Sequence, residues 1–287
     1  MSADIENHVQ SPSWLYFKEK TKEYIRIQIL KQGQADFNQP FEDNGYKLET
    51  YDLVDLYCYY YMQMHYTSSL YLYSKVGKGF INEKLLQDKN LLFLDLGCGP
   101  FSSGAAFMEG FKTQYPDKDL AMTYIGMDTS SEMLEKAKDI AFNMDNTNGK
   151  STFEFSDNWN DIYKMVTHFK ANKGQFEKNS MIINLCYVLA SPYFDDENNL
   201  NSFAKEINDI VTLFKDDSIC FIYQNPNFNR LHNNWNRLKT KIENFNNLKK
   251  IHGVIKCSFD DETGSWLPFY SKPEVKVYVD IFYNEII

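Results

Sequence analysis

The segment FLDLGCGPFSSG, residues 93–104, restricts the fold of this chain more than any other part of it. An apolar run, LLFLDL, brings Asp95 to its end, and Gly97 and Gly99 follow at once. Such a run is typical of a strand that is buried on both faces. Glycine allows a sharp turn and a close approach of the backbone to a ligand, because it has no Cβ. The pattern therefore predicts a strand, a tight turn and a helix from about Ser102.

Strands and helices alternate after this turn. Four further strands are indicated by apolar or alternating runs at 122–128, 151–156, 180–191 and 218–223. Three helices are indicated by apolar residues at steps of three or four at 133–144, 203–214 and 231–248. The final runs, KIHGVIKCSF and KVYVDIFYNEI, have no helix between them, which favours an antiparallel hairpin. We expect an α/β fold with a seven-stranded, mostly parallel sheet and helices on both faces.

The first 87 residues have a different pattern and predict an N-terminal helical extension, followed by the α/β domain at 88–287. A helix is expected at 14–31, capped by Gly33, and a loop at 34–47. The stretch 51–76 carries aromatic residues on more than one face of a helix, so it should be buried on several sides. Two interpretations of this stretch stay open: a lid over a binding site, or ordinary helix packing.

Composition excludes several classes of protein. The five cysteines are scattered and form no CxxC pair, which argues against a disulfide framework or a zinc site and favours a reducing cytoplasm. The first residues are polar and acidic, unlike a signal peptide, and no run has the length of a membrane helix. The net charge of −9 disfavours nucleic acid as a partner. We therefore expect a cytoplasmic protein without a bound metal or a membrane partner.

The segment 93–104 resembles motif I of the Rossmann-like, class I S-adenosylmethionine-dependent methyltransferases. An acidic residue stands two places before the first glycine, and the glycines are spaced as GxGxxxxG, whereas dinucleotide-binding proteins have GxGxxG. The resemblance implies a Rossmann-like fold, S-adenosylmethionine as the cofactor and methyl transfer as the activity. It places Asp95, Gly97, Cys98 and Gly99 at the cofactor.

The same resemblance assigns cofactor contacts at the ends of the next strands. Asp128 would accept hydrogen bonds from both ribose hydroxyls, with Thr129 beside it. Met133 falls where the family often packs an apolar side chain on the adenine. The remaining expected contacts follow the third and fourth strands: Asp157, Asn158, Trp159 and Asn184.

The acceptor is less clearly marked. His65 and Tyr187 are the candidate catalytic residues, His65 as a base. The tyrosine-rich segment 51–76 and the sequence NLCYVLASPYFDD are loosely similar to nicotinamide N-methyltransferase and its relatives, which favours a small-molecule N or O acceptor. No NPPY follows the fourth strand and no Pro-Cys pair occurs, so the amino-directed DNA and cytosine-C5 reactions are disfavoured.

Two other functions stay open. Residues 230–256 contain seven basic side chains and one acidic one, which form either a solvated helix face or a patch for RNA or a protein substrate. A noncatalytic subunit that only binds the cofactor would carry the same glycine loop.

Overall fold

An eight-stranded sheet forms the centre of the computed structural model, which describes residues 24–43, 45–76, 89–145, 150–172, 176–242, 249–260, 265–268 and 275–283. Its strands are β1 (Lys89–Leu96), β2 (Met122–Met127), β3 (Thr152–Ser156), β4 (Lys178–Cys186), β5 (Ser218–Pro226), β6 (Lys249–Asp260), β7 (Ser265–Pro268) and β8 (Val275–Tyr283). They lie in the order β3-β2-β1-β4-β5-β8-β6-β7. The strands β1 to β5 are parallel, and β8 pairs antiparallel with both β5 and β6.

This arrangement confirms the predicted Rossmann-like α/β fold with its antiparallel end. The predicted count of seven strands is one too low, because β7 adds an edge strand that pairs with the far end of β6. β7 is only four residues long, SWLP, and so short a run gives little periodicity to recognise. The strand order reverses between β1 and β4, and open α/β sheets bind ligands at such a point, outside the carboxyl ends of the strands.

Helices cover both faces of the sheet because side chains alternate along each strand. On β1, Leu91 and Phe93 enter one core, together with residues of α3 (Ser102–Gln114) and α4 (Ser131–Asp145). Leu92 and Leu94 enter the other core, with α5 (Trp159–Ala171), α6 (Glu197–Leu213) and α7 (Asn229–Lys239). The sequence analysis assigns no helix to 159–171, where Asn158 caps α5 by accepting the Asn160 N–H. The helix expected at 231–248 ends at Lys239, and residues 243–248 lie outside the described part.

The aromatic stretch forms one run of helix from residue 50 to 76, here called the aromatic helix. It comprises α1 (Thr50–Tyr57), a π-helical turn (Cys58–Met62), α2 (Gln63–Tyr71) and a second π-helical turn (Leu72–Val76). Cys58, Met62 and Tyr66 pack into the same core as Phe93 of β1. Other side chains, including Leu53, pack on the opposite side against an N-terminal cluster. The expected burial on several sides is therefore confirmed.

Residues before this helix differ in part from the expectation. Residues 14–23 of the predicted first helix lie outside the described part, and Ile25–Ile29 forms a π-helical turn. Gly33 has a φ of +86°, the left-handed conformation expected of a capping glycine. The predicted loop at 34–47 contains a small antiparallel pair, Phe41–Asp43 with Tyr46–Leu48, which Gly45 helps to turn with a φ of +82°.

Candidate cofactor site

A cavity of about 510 Å³ lies where the parallel strands β1, β2 and β4 end. Leu96, Met127 and Cys186, the last residues of these strands, contribute to its wall. It therefore opens at the reversal of strand order, where this kind of sheet binds ligands. A cavity of this volume is in the range that holds small molecules and cofactors.

The glycine loop after β1 forms the floor of the cavity. The backbone N–H groups of Gly97 and Cys98 both donate to the Met127 carbonyl, at 2.8 and 2.9 Å, which fixes the loop against β2. A Cβ on Gly97 would lie 2.6 Å from Val188 Cγ2, so this glycine is needed for packing. A Cβ on Gly99 would meet no atom of the described residues within 4 Å, so this glycine keeps open the space of the cavity. The two glycines thus serve different purposes.

Asp128, directly after β2, joins this loop to the next helix. Its Oδ2 accepts the Gly99 N–H at 2.9 Å, and its Oδ1 accepts the Ser130 N–H at 3.0 Å. Burial raises the pKa of Asp128, and the hydrogen bonds from Ser130 and Gly99 oppose that rise. The Thr129 backbone N–H also bonds to this carboxylate, which has about four acceptor positions and so keeps some capacity for a ligand in the cavity.

The N-terminus of α3 completes this side of the cavity. Ser102 and Ser103 line it, and their backbone N–H groups belong to the first turn, where no carbonyl of the helix can accept them. The Ser102 Oγ is buried and has no hydrogen-bond partner within the described part of the chain. An unpartnered buried hydroxyl and free helix N–H groups together favour an anionic or oxygen-rich ligand group at this point.

Asp95 and Asn184 lie beneath the floor and do not line the cavity. The Asp95 carboxylate accepts hydrogen bonds from the Tyr124 hydroxyl and the Asn184 side-chain amide, each at 2.7 Å. Asn184 Oδ1 in turn accepts the Tyr73 hydroxyl at 3.1 Å. Burial raises the pKa of Asp95 to about 6, although these two hydrogen bonds act to lower it. This network connects β1, β2 and β4 to the aromatic helix. Asp95 and Asn184 therefore make their hydrogen bonds with other side chains of the protein and do not face the cavity.

The other expected cofactor residues are divided. Gly97, Cys98, Gly99, Asp128, Thr129, Met133, Asp157 and Trp159 line the cavity. Asn158 is exposed at the start of α5 and is not part of the cavity wall.

The loop 33–38 is a part of the site that the sequence analysis does not identify. Phe37 lines the cavity, and its carbonyl accepts the Ser130 hydroxyl at 3.4 Å. The Asn38 side-chain amide donates to the Thr129 carbonyl at 3.2 Å. These contacts hold the loop across the end of β2, which is distant from it in the sequence. No local pattern in a loop indicates such a long-range contact.

His65 and Tyr187 are 122 positions apart in the sequence, and the structure stacks them with ring centroids 3.5 Å apart. Both line the cavity. His65 Nδ1 lies 3.2 Å from the Tyr57 hydroxyl. The Tyr187 hydroxyl lies 2.7 Å from Ser68 Oγ and accepts the Gln224 side-chain amide at 3.0 Å. Burial lowers the pKa of His65 to about 3, so the imidazole is neutral at physiological pH.

This burial predicts how stability depends on pH. An unfolded histidine titrates near 6.5, so below that pH the unfolded chain takes up a proton that buried His65 does not. As the pH falls below about 6.5, the wild-type protein should lose about 1.4 kcal/mol of unfolding free energy per pH unit relative to His65→Gln. Between pH 7.5 and pH 5 this loss amounts to about 2 kcal/mol. Urea unfolding of both proteins at the two pH values measures this. Asp95 is present in both proteins, so its opposite contribution to the pH dependence cancels. If the stability difference between wild type and His65→Gln did not change with pH, the burial of His65 would be contradicted.

The basic stretch from residue 230 has carboxylate partners within the protein. Every arginine and lysine of residues 230–241 is involved: Arg230–Asp195, Arg237–Glu197, Lys239–Asp280 and Lys241–Glu197. The side chains at 249–256, which the sequence analysis includes in this stretch, lie outside the described part. Paired cations attract a phosphate backbone less than free ones, so these contacts do not favour an RNA patch.

No helix within the described ranges is long and apolar enough to cross a membrane. No group of three or more histidine, cysteine, aspartate or glutamate side chains in those ranges could hold a metal ion.

Comparison with known proteins gives similarities among solved structures only. No family model matches the chain, and neither does any curated protein. The magnesium protoporphyrin IX methyltransferase of Synechocystis PCC 6803, with bound S-adenosylmethionine, is 12% identical, covers 95% of this chain and 99% of its own, and has a TM-score of 0.41. A Listeria monocytogenes protein described as a class I S-adenosylmethionine-dependent methyltransferase is 13% identical and has a TM-score of 0.42. The match covers 99% of this chain and 79% of the Listeria chain. A cyclopropane-fatty-acyl-phospholipid synthase-like protein of Lactobacillus casei is 11% identical, with 91% and 100% covered and a TM-score of 0.41.

Proposed function

We propose that the chain is an S-adenosylmethionine-dependent methyltransferase that acts on a nitrogen or oxygen of a small molecule. One observation carries this proposal: Asp128 stands at the end of the second strand and is hydrogen-bonded to Gly99 of a loop that leaves the space before it open. A carboxylate in this position accepts ribose hydroxyls, and a glycine without a Cβ lets a nucleoside lie against the backbone.

The residues of the cavity fit this cofactor from end to end. Asp128 would accept the ribose hydroxyls through its remaining acceptor capacity. Met133 and Trp159 would flank the adenine, and Asp157, which also lines the cavity, would accept a hydrogen bond from its amino group. The methionine carboxylate would lie at the N-terminus of α3, where the Ser102 hydroxyl has no partner among the described residues.

When bound, the cofactor supplies a methyl group that is already activated by its positively charged sulfur. The protein then has to align the nucleophile, exclude water and accept a proton. His65 is suited to hold the nucleophile, because with Nδ1–H donated to the Tyr57 oxygen its Nε2 can accept a hydrogen bond. Its low pKa makes it a weak base, so it takes the proton only as the acceptor becomes positively charged. Tyr187, held by Gln224, keeps the imidazole ring in place.

A small-molecule acceptor is favoured over RNA or protein by the ion pairs along α7 and by the net charge of −9. Calorimetry with S-adenosylmethionine tests the cofactor. Incubation with methyl-labelled cofactor and a fractionated cell extract, with and without ribonuclease, tests the acceptor. Label in the small-molecule fraction supports the proposal, and label lost with ribonuclease or found in protein contradicts it. Binding with no labelled product in any fraction would instead indicate a noncatalytic subunit.

The loop 33–38 is proposed as the part that closes over the cofactor. It is held to the rest of the protein by two hydrogen bonds and by the partly buried Phe37 ring, which packs against Tyr57, whereas the aromatic helix is packed on two sides. Hydrogen exchange should therefore slow at 33–38 and 97–104 when S-adenosylmethionine is added. The helix at 51–76 should already be protected without it. Slowing confined to 97–104 would show that the loop does not respond to the cofactor.

A further inference from the structure

A second cavity, of about 720 Å³, adjoins the cofactor cavity and is here called the acceptor chamber. Tyr57, His65 and Tyr187 line both cavities. The stacked pair of His65 and Tyr187 therefore stands at the junction. A molecule in the chamber would lie next to a methyl group carried in the first cavity.

Much of the wall of the acceptor chamber is apolar. Tyr61 and Met64 of the aromatic helix and Leu231 of α7 line it, and all three are buried. Phe228, which also lines the chamber, is 63% exposed although it is a large apolar side chain. Aromatic walls with one exposed ring favour a planar, apolar molecule over a flexible polar one.

The charge of the acceptor chamber has one sign. The described residues that line it include two charged side chains, Arg26 and Arg230, and no carboxylate. The Arg26 guanidinium lies 6.0 Å from the centre of the Tyr61 ring. Arg230 is paired with Asp195 at 2.8 Å and donates to the Ala190 carbonyl at 2.7 Å, which reduces its attraction for a distant anion, but a guanidinium has five N–H groups, so it can still donate to an anionic oxygen placed directly beside it. In a chain with a net charge of −9, such a lining favours an anion over a cation.

We propose that the acceptor chamber binds a planar aromatic acceptor that carries a carboxylate or another anionic group. This inference rests on the proposed function and adds the class of substrate to it. The ring lies between Tyr61 and Phe228, and the anionic group lies at Arg26 and Arg230. A lone pair of the acceptor nitrogen or oxygen forms the bond to the methyl carbon, while the carbon–sulfur bond breaks and its electron pair stays on sulfur. The proton of the acceptor passes to His65 and from there to water.

The test uses the full chain and two fluorescent probes with related aromatic rings. 8-Anilinonaphthalene-1-sulfonate is an anion, and N-phenyl-1-naphthylamine is its neutral analogue. We expect the anion to bind more tightly than the neutral probe. Arg26→Gln and Arg230→Gln should each weaken binding of the anion by about fivefold or more and leave the neutral probe unchanged, because a charge-assisted contact is lost. Arg237→Gln is the matched control, since Arg237 is also on α7 but does not line the chamber.

Two experiments with S-adenosylhomocysteine test the location of the bound anion and the proposed function separately. If the anion still binds in the presence of saturating S-adenosylhomocysteine, it lies outside the cofactor cavity, as the proposal requires. Displacement by S-adenosylhomocysteine, equal affinity for the two probes, or an equal effect of Arg237→Gln would overturn the proposal. Calorimetry with S-adenosylhomocysteine alone tests the proposed function, so an anion-selective chamber without cofactor binding would reject that function and keep the chamber. Thermal unfolding confirms that each variant is folded.

Discussion

Asp128→Ala should lower the affinity for S-adenosylmethionine by about a hundredfold or more while leaving the fold intact. Two charge-assisted hydrogen bonds to the ribose would be lost, each worth about 1.5–3 kcal/mol, and every 1.4 kcal/mol changes affinity about tenfold. The same change frees the N–H groups of Gly99 and Ser130, which the carboxylate holds in place. The loop would then be less well ordered for binding, which adds to the effect. Calorimetry with the folded variant measures the affinity.

Asp128→Asn is the matched control for this prediction. It has the same shape and keeps one oxygen acceptor, but it has no charge and can accept from only one of the two backbone groups. Its affinity should lie between those of wild type and Asp128→Ala. Unchanged affinity in Asp128→Ala, with a normal melting temperature, would mean that the ribose lies elsewhere and would remove the main support for the proposed cofactor.

The α/β fold could be predicted from the sequence because its signals are local. The apolar run of β1 is followed by glycines, and Leu91 to Leu94 are apolar on both faces of the strand. The two missed elements have different causes. In α5, Trp159, Ile162, Val166 and Phe169 recur at steps of three or four and pack in the same core as Leu94, so a helical period is present in the sequence and could have predicted this helix. In β7 the run is too short to show a period.

The signal for the candidate site is strongest where it follows directly from a strand end. Gly97, Gly99 and Asp128 are next to predicted strands, and all three line the cavity. Asp95 occupies an equally promising position in the sequence, but its side chain is only 1% exposed. The Asp95 side chain is held beneath the cavity by its hydrogen bonds to Tyr124 and Asn184. Such contacts between strands cannot be predicted from the spacing of residues in the sequence.

The junction of the two cavities depends on the same kind of long-range contact. Tyr187 has a φ of +65°, and its backbone N–H donates to the Gln224 carbonyl at 2.7 Å. The Gln224 side chain also reaches Ser68, so β5, the loop after β4 and the aromatic helix meet at one point. The sequence shows aromatic residues in both segments but does not show that His65 stacks on Tyr187. The tertiary fold alone brings together the groups that could act on an acceptor.

Gly99→Val should abolish measurable binding of S-adenosylmethionine. A Cβ on Gly99 would meet no atom within 4 Å in the part of the chain that the structure describes, so a valine side chain would occupy the space in which the proposed cofactor lies. Gly99 also has a φ of +50°, a conformation that costs a side-chain-bearing residue about 1–2 kcal/mol and a β-branched residue more. Calorimetry measures the loss of binding, and thermal unfolding measures the accompanying loss of stability.

Gly99→Ala and Gly97→Ala separate these two effects. Both glycines have positive φ, at +50° and +74°, so both alanines carry a similar backbone strain. Only the alanine at 97 collides with Val188, at 2.6 Å, and it should therefore unfold at a much lower temperature. Gly99→Ala should melt only a few degrees below wild type and still bind the cofactor much more weakly, because its methyl group points into the open cavity. Normal binding by a folded Gly99→Val would show that the ligand does not approach this loop, since no protein atom occupies the space that valine would fill.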